Sequence, residues 1–441
     1  MGRRQNNDCV STRSPRIVFL ANDTAFFFRH FVPAIEAGLE LQSRIVALLP
    51  EPPDADTRER FSGVEVITTP LVQRGDSAWA LAGKVLWLVS TLRRVDPDII
   101  VGYSLRSIIA LAIAFPRLRA KRLVFAVTGL GLIELLENRK GKVCRSIFYF
   151  LMRCLNRSSR AWFIFENHSD ATRIGIPATR RARHVILMGA GVDPTEFQPK
   201  PQPPPSALRL ATVSRLVWSK GVDLAVEAVS ALVEAGYNVS LDVYGGPDLA
   251  NPRSIGEATI TKWTSNAGVH YRGHVKDVAR VWHEHHVGVF PSRGGEGLPR
   301  ALLEAAACGR PSIVARVPGC EDFIRDGIEG FVIQPNSVEH LKLAIKRFLQ
   351  EPDLITSFGK ASRQRVLQTA TSSIVTRQYK SLFSFEAKQA MKSQAADADV
   401  SAHYETVLRK EYASLPDLAL PCTLCSSAQT SASRNTDRPL G

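Results

Sequence analysis

Glu296 and Glu304 are the residues of this sequence whose types and spacing are best suited to chemistry. They lie in the stretch 290–311, FPSRGGEGLPRALLEAAACGRP, where a buried strand end is followed by a glycine-rich loop and a helix. Pro299 suits the first helical position, so Glu296 falls in the loop and Glu304 inside the helix, which is predicted to end near Cys308. Eight residues span a little over two turns, so both carboxylates are expected on roughly one face.

The loop before this helix suits a phosphate. Gly294, Gly295 and Gly297 allow a ligand to approach the backbone, because glycine has no Cβ. The helix N-terminus behind them offers free N–H groups and about half a positive charge. Carboxylates next to a phosphate site suit sugar hydroxyls, so the stretch indicates a nucleotide-sugar site. The alternative for this stretch alone is a glycine-rich turn with two solvated glutamates.

Arg215 and Lys220 lie at an earlier crossing from strand to helix, in VSRLVWSKG at 213–221. Two cations at the carboxyl end of a strand can hold a diphosphate, the arginine as a fork and the lysine as a point charge. A single lysine is usually ordinary surface charge. Two cations here and the Glu296 loop at a later crossing together favour a site.

The elements around these residues alternate between strand and helix, which predicts an α/β protein built from parallel sheets with helices on both faces. The same pattern restarts after a proline-rich segment, so two doubly wound Rossmann-like domains are expected to face each other across a cleft. Single helices are predicted over 28–39 and 105–115. The predicted boundaries are a flexible arm at 1–14, a first domain at 15–198, a linker at 199–205, a second domain at 206–375, a closing helix at 376–388 and a disordered tail at 389–441.

The composition indicates in which cellular compartment the protein acts and which classes of partner it binds. The chain has 441 residues and a net charge of +14, which indicates an anionic partner such as nucleic acid, acidic lipid or a phosphorylated substrate. Its seven cysteines are scattered, as in proteins of a reducing cytosol. The polar N-terminus lacks an apolar signal core, and no apolar run is long enough to span a bilayer. A cytoplasmic location is therefore expected.

The motifs resemble those of the retaining glycosyltransferases of family four, which have the GT-B fold. The resemblance rests on the E-x7-E pair Glu296 and Glu304, with Arg215 and Lys220 upstream. Four sequence motifs are most similar to those of members that extend polyprenyl-diphosphate-linked oligosaccharides for surface polysaccharides. They are EGLPRALLEAAACGRP, VPGC at 317–320, TGLG at 128–131 and GAGVD at 189–193. The resemblance to the family covers roughly residues 16–380.

The resemblance implies a donor site for a UDP-sugar. In such a site Arg215 and Lys220 hold the diphosphate, and Glu296 binds the hydroxyls of the transferred sugar. The backbone N–H groups of Gly297 and Leu298 assist Glu296. These assignments make Glu296, Arg215 and Lys220 the expected catalytic residues.

The same resemblance places the nucleoside. Glu304 is expected to hold the ribose, the turn from Gly273 to Val275 to face the uracil, and Gly245 to border the cleft. No metal and no cofactor are expected, since the two cations and the helix N-terminus can neutralise the leaving diphosphate.

The acceptor side departs from the family pattern. Cys320 is followed by Glu-Asp instead of Arg-Glu, and Arg29-His30-Phe31 replaces Ser-His-Arg. Arg106 is followed by serine where a lysine–proline pair is usual. His30 and Arg106 are therefore the acceptor-side candidates, and a structural histidine is the alternative for His30.

Residues 142–160 predict a basic amphipathic helix, which is typical of a membrane-surface element. One third of its wheel is basic: Lys142, Arg145, Arg153, Arg157 and Arg160. The expected opposite face is apolar: Val143, Ile147, Phe148, Leu151, Cys154 and Leu155. The alternative is a core-facing helix with a solvated basic side. The net charge favours a peripheral position on the inner face of the plasma membrane, where a lipid-linked acceptor lies.

These observations predict retaining transfer of a sugar from a UDP-sugar to a lipid-linked saccharide. One alternative is a sugar-nucleotide epimerase or a phosphorylase with the same architecture, although no catalytic histidine set or pyridoxal phosphate lysine can be placed. Another is a basic nucleic-acid-binding protein. That class requires a base-reading surface, whereas the strongest basic cluster has an apolar opposite face, so no nucleic-acid partner is expected.

Overall fold

The computed structural model describes residues 14–72, 78–135, 138–176, 183–248 and 251–384. The predicted tail at 389–441 lies outside these ranges, as do residues 1–13 of the predicted arm and the last residues of the predicted closing helix. Within the described ranges the chain forms two parallel sheets with helices on both faces, the expected α/β architecture.

Seven strands of the described chain make the first sheet, in the order β3-β2-β1-β4-β5-β6-β7. They are β1 (Arg16–Leu20), β2 (Arg44–Leu49), β3 (Val64–Thr68), β4 (Ile99–Tyr103), β5 (Arg122–Val127), β6 (Ala161–Phe165) and β7 (His184–Ile186). The helices between them are α1 (Thr24–His30), α2 (Val32–Glu40), α3 (Ala55–Arg60), α4 (Ala78–Val95), α5 (Leu105–Ala114), α6 (Leu132–Leu135), α7 (Arg139–Asn156) and α8 (His168–Ile174). Residues of α4, α5 and α7 fill the core on one face of the sheet, and residues of α1 and α2 fill it on the other.

The second sheet repeats this design with six strands within the described residues, in the order β10-β9-β8-β11-β12-β13. They are β8 (Leu208–Val213), β9 (Val239–Tyr244), β10 (Val269–Gly273), β11 (Val287–Phe290), β12 (Ser312–Ala315) and β13 (Gly330–Ile333). The helices of this half are α9 (Val222–Glu234), α10 (Glu257–Thr264), α11 (Val278–Glu284), α12 (Arg300–Ala307), α13 (Cys320–Phe323), α14 (Val338–Gln350) and α15 (Asp353–Thr369).

The last helix, α16 (Ser372–Phe383), leaves the second half and packs on the first. Tyr379 and Phe383 are buried in the same core as the inner residues of α2, and the Tyr379 hydroxyl lies 3.3 Å from that of Tyr103. At the helix end, the guanidinium of Arg122 donates to the carbonyl of Leu382. The first half is therefore completed by the C-terminal end of the described chain.

One predicted helix is interrupted. The stretch 28–39 belongs to two helices, which meet at Phe31, because Pro33 stands in the first turn of α2, where a proline is tolerated but cannot continue a preceding helix. Asp23 starts α1 by accepting the N–H of Phe26 at 2.8 Å. His30 is the last residue of α1, directly before this break.

The basic segment also differs from its prediction. Its helix, α7, starts at Arg139 and ends at Asn156, so Arg157 is the C-cap and Arg160 lies outside the helix. The predicted apolar face is divided: Phe148 and Leu155 are buried, whereas Val143 and Ile147 are exposed. The alternative of a core-facing helix therefore does not hold for Val143 and Ile147, which leave part of the apolar face uncovered.

Candidate functional site

The strand order of each sheet reverses once, between β1 and β4 in the first and between β8 and β11 in the second. Crevices at such switch points, beyond the carboxyl ends of the strands, are where open α/β sheets bind ligands. Lys220 follows β8 and Glu296 follows β11, while His30 follows β1 and Arg106 follows β4. The topology therefore places two donor candidates and both acceptor candidates at the two switch points.

Lys220 and Glu296 form an ion pair, with 2.6 Å between Lys220 Nζ and Glu296 Oε2. The other carboxylate oxygen accepts the hydroxyl of Ser292 at 3.2 Å. Both charged side chains are largely shielded from solvent. The lysine thus holds the glutamate at the mouth of the loop and brings a cation and a carboxylate to one point.

Arg215 takes a separate position at the same edge. Its guanidinium pairs with Asp248 at 2.6 Å and is mostly exposed. The adjacent residue Leu216 donates its N–H to the carbonyl of Gly246 at 2.8 Å, and the N–H of Gly245 reaches the carbonyl of Gly273 at 2.8 Å. The loops after β8, β9 and β10 are therefore joined into one rim. Arg215, Gly245 and Gly273 lie together on this rim, and their roles in binding a nucleotide sugar stay predictions.

A glycine is required at position 245. Its φ is +120°, and a Cβ there would lie 1.8 Å from the carbonyl oxygen of Ser214. Any side chain would force the loops after β8 and β9 apart. Val275, two residues beyond Gly273, is half-buried against the core of the second half.

Glu304 lies inside α12, as predicted, and is buried. Its carboxylate accepts the Nε–H of Arg300, one turn earlier, at 2.8 Å. Burial raises the pKa of the Glu304 carboxyl, and the Arg300 charge opposes that rise. Glu304 and Glu296 therefore have different partners: Arg300 for the first, Lys220 and Ser292 for the second.

The start of α12 meets the first half directly. Pro299 is the N-cap, so α12 starts at Arg300, one residue later than predicted. The N–H of Leu298 donates to Glu166 Oε2 at 3.0 Å, and Glu166 Oε1 lies 3.0 Å from His30 Nε2. A sugar hydroxyl that uses the Leu298 N–H must therefore displace the Glu166 carboxylate.

Glu166 is the site residue that the sequence predictions omit. It is buried and connects His30 on the first half with the glycine-rich loop of the second. The available signal was its position, because it directly follows the apolar strand β6, whose carboxyl end faces the cleft. Phe26 stacks on the His30 ring at a centroid distance of 4.6 Å and fixes its orientation.

Two loops close the cleft with almost no space between their backbones. The N–H of Gly131 donates to the carbonyl of Gly295 at 2.7 Å. A Cβ on Gly129 would lie 2.5 Å from the nitrogen of Gly297. From the other side, Arg300 donates to the carbonyl of Arg29 at 2.6 Å. The glycine loop that carries Glu296 is therefore held by the first half.

Arg106 lies in the first turn of α5 and is exposed at the same edge of the first sheet as His30. The residue before α5, Ser104, has a φ of +70°, an unusual value for a side-chain-bearing residue. Strained backbone of this kind is common beside ligand sites. Arg106 stays a prediction for the acceptor side.

Residues 207–351 match the family model described as "Glycosyl transferases group 1". This range contains the rim, the Lys220–Glu296 pair and α12. The chain is a glycosyltransferase with a group 1 domain. This result confirms the resemblance deduced from the E-x7-E pair and its two upstream cations.

Two relatives of this glycosyltransferase are glycosyltransferases by name, one of them of capsular polysaccharide biosynthesis. The chain is 29% identical over 171 residues to the capsular polysaccharide biosynthesis glycosyltransferase CapM of Staphylococcus aureus, a match covering 39% of this chain and 44% of CapM. It is 23% identical over 384 residues to the N,N'-diacetylbacillosaminyl-diphospho-undecaprenol alpha-1,3-N-acetylgalactosaminyltransferase of Campylobacter jejuni, covering 83% of this chain and 98% of that enzyme.

Solved structures of similar fold confirm the GT-B architecture. HepE of Anabaena, crystallised with UDP and glucose, superposes with a TM-score of 0.65 at 17% identity, over 82% of this chain and 98% of HepE. WaaG, a glycosyltransferase involved in lipopolysaccharide biosynthesis, gives a TM-score of 0.62 at 18% identity, over 82% of this chain and 98% of WaaG. Among the described residues of this glycosyltransferase, no helix combines the length and apolar character needed to cross a membrane.

Proposed function

We propose that this glycosyltransferase moves a sugar from a UDP-sugar to a lipid-linked, polyprenyl-diphosphate saccharide, with retention of the anomeric configuration. The observation that carries the proposal is the Lys220–Glu296 pair at the β8/β11 switch point, next to the start of α12. It offers a cation for phosphate and a carboxylate for sugar hydroxyls within one hydrogen-bond length. HepE, with the same fold, was crystallised with UDP and glucose, which favours UDP as the nucleotide.

In the proposed reaction, the bond between sugar C1 and the UDP phosphate oxygen breaks, and a bond from an acceptor hydroxyl oxygen to C1 forms on the same face of the sugar. The departing phosphate keeps the bonding electrons and takes the proton of the acceptor hydroxyl. Lys220 and Arg215 stabilise the negative charge that grows on the diphosphate. Glu296 orients the sugar and stabilises the positive charge that develops at its ring.

We propose that the reaction needs no metal ion. Lys220, Arg215 and the N–H groups at the start of α12 supply positive charge where the diphosphate leaves. Their arrangement is fixed before the substrate binds, since Lys220 is held by Glu296 and Arg215 by Asp248.

The proposed function is tested by incubating the protein with UDP-glucose, UDP-galactose and their N-acetyl forms, with and without a membrane extract that contains lipid-linked saccharides. We expect UDP release from one donor to depend on the extract, and the sugar to appear in the lipid fraction. Conversion of a UDP-sugar into another UDP-sugar, with nothing in the lipid fraction, would instead support an epimerase. Binding of nucleic acid without turnover of any donor would contradict a glycosyltransferase.

We infer that α7 attaches this glycosyltransferase to the cytoplasmic surface of a membrane. Val143, Ile147 and Phe150 repeat at helical spacing and are 57%, 61% and 68% exposed. Beside them, Lys140 and Lys142 are exposed in the first turn, where the helix dipole disfavours cations. An anionic lipid surface would accommodate both the apolar stripe and these charges.

The contact lies closer to the start of the helix than the predicted range 142–160 implies. Two of the predicted membrane arginines are bound to backbone instead: Arg145 donates to the carbonyl of Glu134 at 3.1 Å, and Arg153 to that of Ile174 at 2.6 Å. Their removal would disturb the fold as well as any lipid contact. The exposed stripe gives a cleaner test.

Ile147→Ser with Phe150→Ser is expected to release the protein from vesicles containing phosphatidylglycerol, measured by co-sedimentation. Full burial of each side chain contributes about 1.5–3 kcal/mol, so the double change should weaken binding at least about tenfold. Leu343→Ser, at an exposed leucine on α14, is the matched control and should bind like the original protein. Equal binding by the double variant, with an unchanged melting temperature, would contradict attachment through α7.

A further inference from the structure

A large cavity of about 1000 Å³ lies between the two halves, beside the catalytic loop. One wall is formed by the first half around Leu135 and Asn138, immediately before α7. The other is formed by loops that follow β8, β9, β11 and β12, and it includes Gly294. Neither Arg215 nor Lys220 lines this cavity, although Gly294 of the glycine-rich loop does, so the cavity adjoins the proposed donor diphosphate site without including its two cations.

The cavity is strongly basic. Arginines reach it from four elements: Arg173 from α8, Arg253 from the loop after β9, Arg293 from the loop after β11 and Arg316 from the loop after β12. Among the described lining residues, the acidic one is Glu134, and Arg173 already pairs with it. Convergence of like charges is unfavourable in the empty protein, and an anion would relieve it.

Two of these arginines are fixed on one aromatic ring. The guanidinium groups of Arg293 and Arg253 lie 4.6 Å and 4.7 Å from the ring centroid of Trp218. Arg293 is held further by both oxygens of Asp223, at 2.8 Å and 2.7 Å. This part of the wall is therefore rigid before any ligand arrives.

Arg253 and Arg316 have N–H donors to spare. Arg253 forms no ion pair within the part of the chain that the structure describes. The nearest carboxylate to Arg316 is Glu321, at 3.9 Å, which is too long for a hydrogen bond. Arginine is suited to bind phosphate oxygens through its planar set of N–H groups.

We propose that this cavity binds the diphosphate of the lipid-linked acceptor, an inference that rests on the proposed function. The acceptor has its lipid in the membrane and its saccharide at Glu296. A cavity with the start of α7 on one wall and Gly294 on the other lies between those two ends. The group that joins the lipid to the first sugar is the diphosphate, and it carries the charge that the arginines match.

The first test measures binding of geranyl diphosphate to the protein saturated with UDP, by calorimetry, with geraniol as the uncharged comparison. Saturation with UDP keeps the donor site occupied. We expect geranyl diphosphate to bind and geraniol not to bind. Arg253→Gln and Arg316→Gln should each weaken binding about tenfold, the effect of losing a charge-assisted hydrogen bond.

Three variants control this experiment. Arg347→Gln, at an exposed arginine on α14 that pairs with Glu351, should bind like the original protein. Arg253→Lys and Arg316→Lys retain the charge and should recover part of the affinity, even if a glutamine variant folds poorly. Binding that disappears when UDP is present, or losses as large in Arg347→Gln, would overturn the proposal.

The second test identifies the source of the diphosphate. Sugar transfer is measured to a prenyl-diphosphate-linked saccharide and to the same saccharide on a neutral alkyl group. Arg253→Gln and Arg316→Gln should raise KM about tenfold for the first acceptor and leave it unchanged for the second. Unchanged KM values for both would mean that the cavity binds a free diphosphate, and equal increases would mean a general structural role. Either result overturns the inference. If the original protein transfers no sugar at all, the proposed function is overturned, and the calorimetric experiment alone decides whether the cavity binds a diphosphate.

Discussion

Glu296→Gln is expected to lower the rate of sugar transfer about a hundredfold and to leave the fold intact. The glutamate carboxylate forms an ion pair with the Lys220 ammonium at 2.6 Å and accepts a hydrogen bond from the Ser292 hydroxyl at 3.2 Å. Glutamine retains the size and the hydroxyl contact but loses the charge, and one contact to a developing charge is typically worth about 3 kcal/mol. The measurement is UDP release in single-turnover conditions.

The matched control for this variant is Glu339→Gln, at an exposed glutamate that pairs with Lys342 far from the cleft. It should transfer sugar at the original rate. UDP affinity of Glu296→Gln should stay within about threefold of the original, since the cations and the rim that hold the diphosphate remain. Transfer at the original rate by Glu296→Gln would show that the carboxylate has no part in the chemistry.

Gly129→Ala is expected to abolish most of the activity by preventing closure of the cleft. Its Cβ would lie 2.5 Å from the nitrogen of Gly297 and 2.7 Å from the carbonyl carbon of Glu296. These are backbone atoms, so they cannot rotate away as a side chain can. A shift of about 1 Å in the catalytic loop is enough to cost about a hundredfold in rate.

Gly131→Ala distinguishes the effect of a steric clash between the two loops from the effect of backbone strain alone. Gly131 has a φ of +57°, so alanine there is also strained, but its Cβ would have nothing within 4 Å. It should lose stability, of order 1–2 kcal/mol, and keep most of its transfer rate. Small-angle scattering should show a larger radius of gyration only for Gly129→Ala. Equal rates and equal radii in the two variants would refute the closure argument.

The sheets were predictable because their strands are short apolar runs rich in β-branched residues, such as Arg122–Val127 and Leu208–Val213. The strand β7 was not predicted, since it has only three residues, His184–Ile186. Phe31 was assigned to the middle of a helix, because apolar spacing continues across the break and conceals the effect of Pro33.

The placement of the donor candidates could be predicted because these residues follow strands in order, and parallel strands bring their carboxyl ends to one edge. The contact between Glu166 and Leu298 could not be deduced, because it depends on how the two halves meet. The same limit applies to α7: spacing shows that apolar residues surround much of the helix, but only the packed structure shows that Phe148 is covered and Phe150 is exposed.

The return of α16 to the first half has a consequence for biosynthesis. A ribosome that has finished residues 1–198 has made every strand of the first sheet, but not the helix that covers Ala34 and Ile35. That apolar surface stays open until Tyr379 and Phe383 emerge, after the second half has been made. A nascent chain arrested between the halves should therefore recruit chaperones, and the first half expressed alone should aggregate unless residues 372–384 are supplied as a separate peptide.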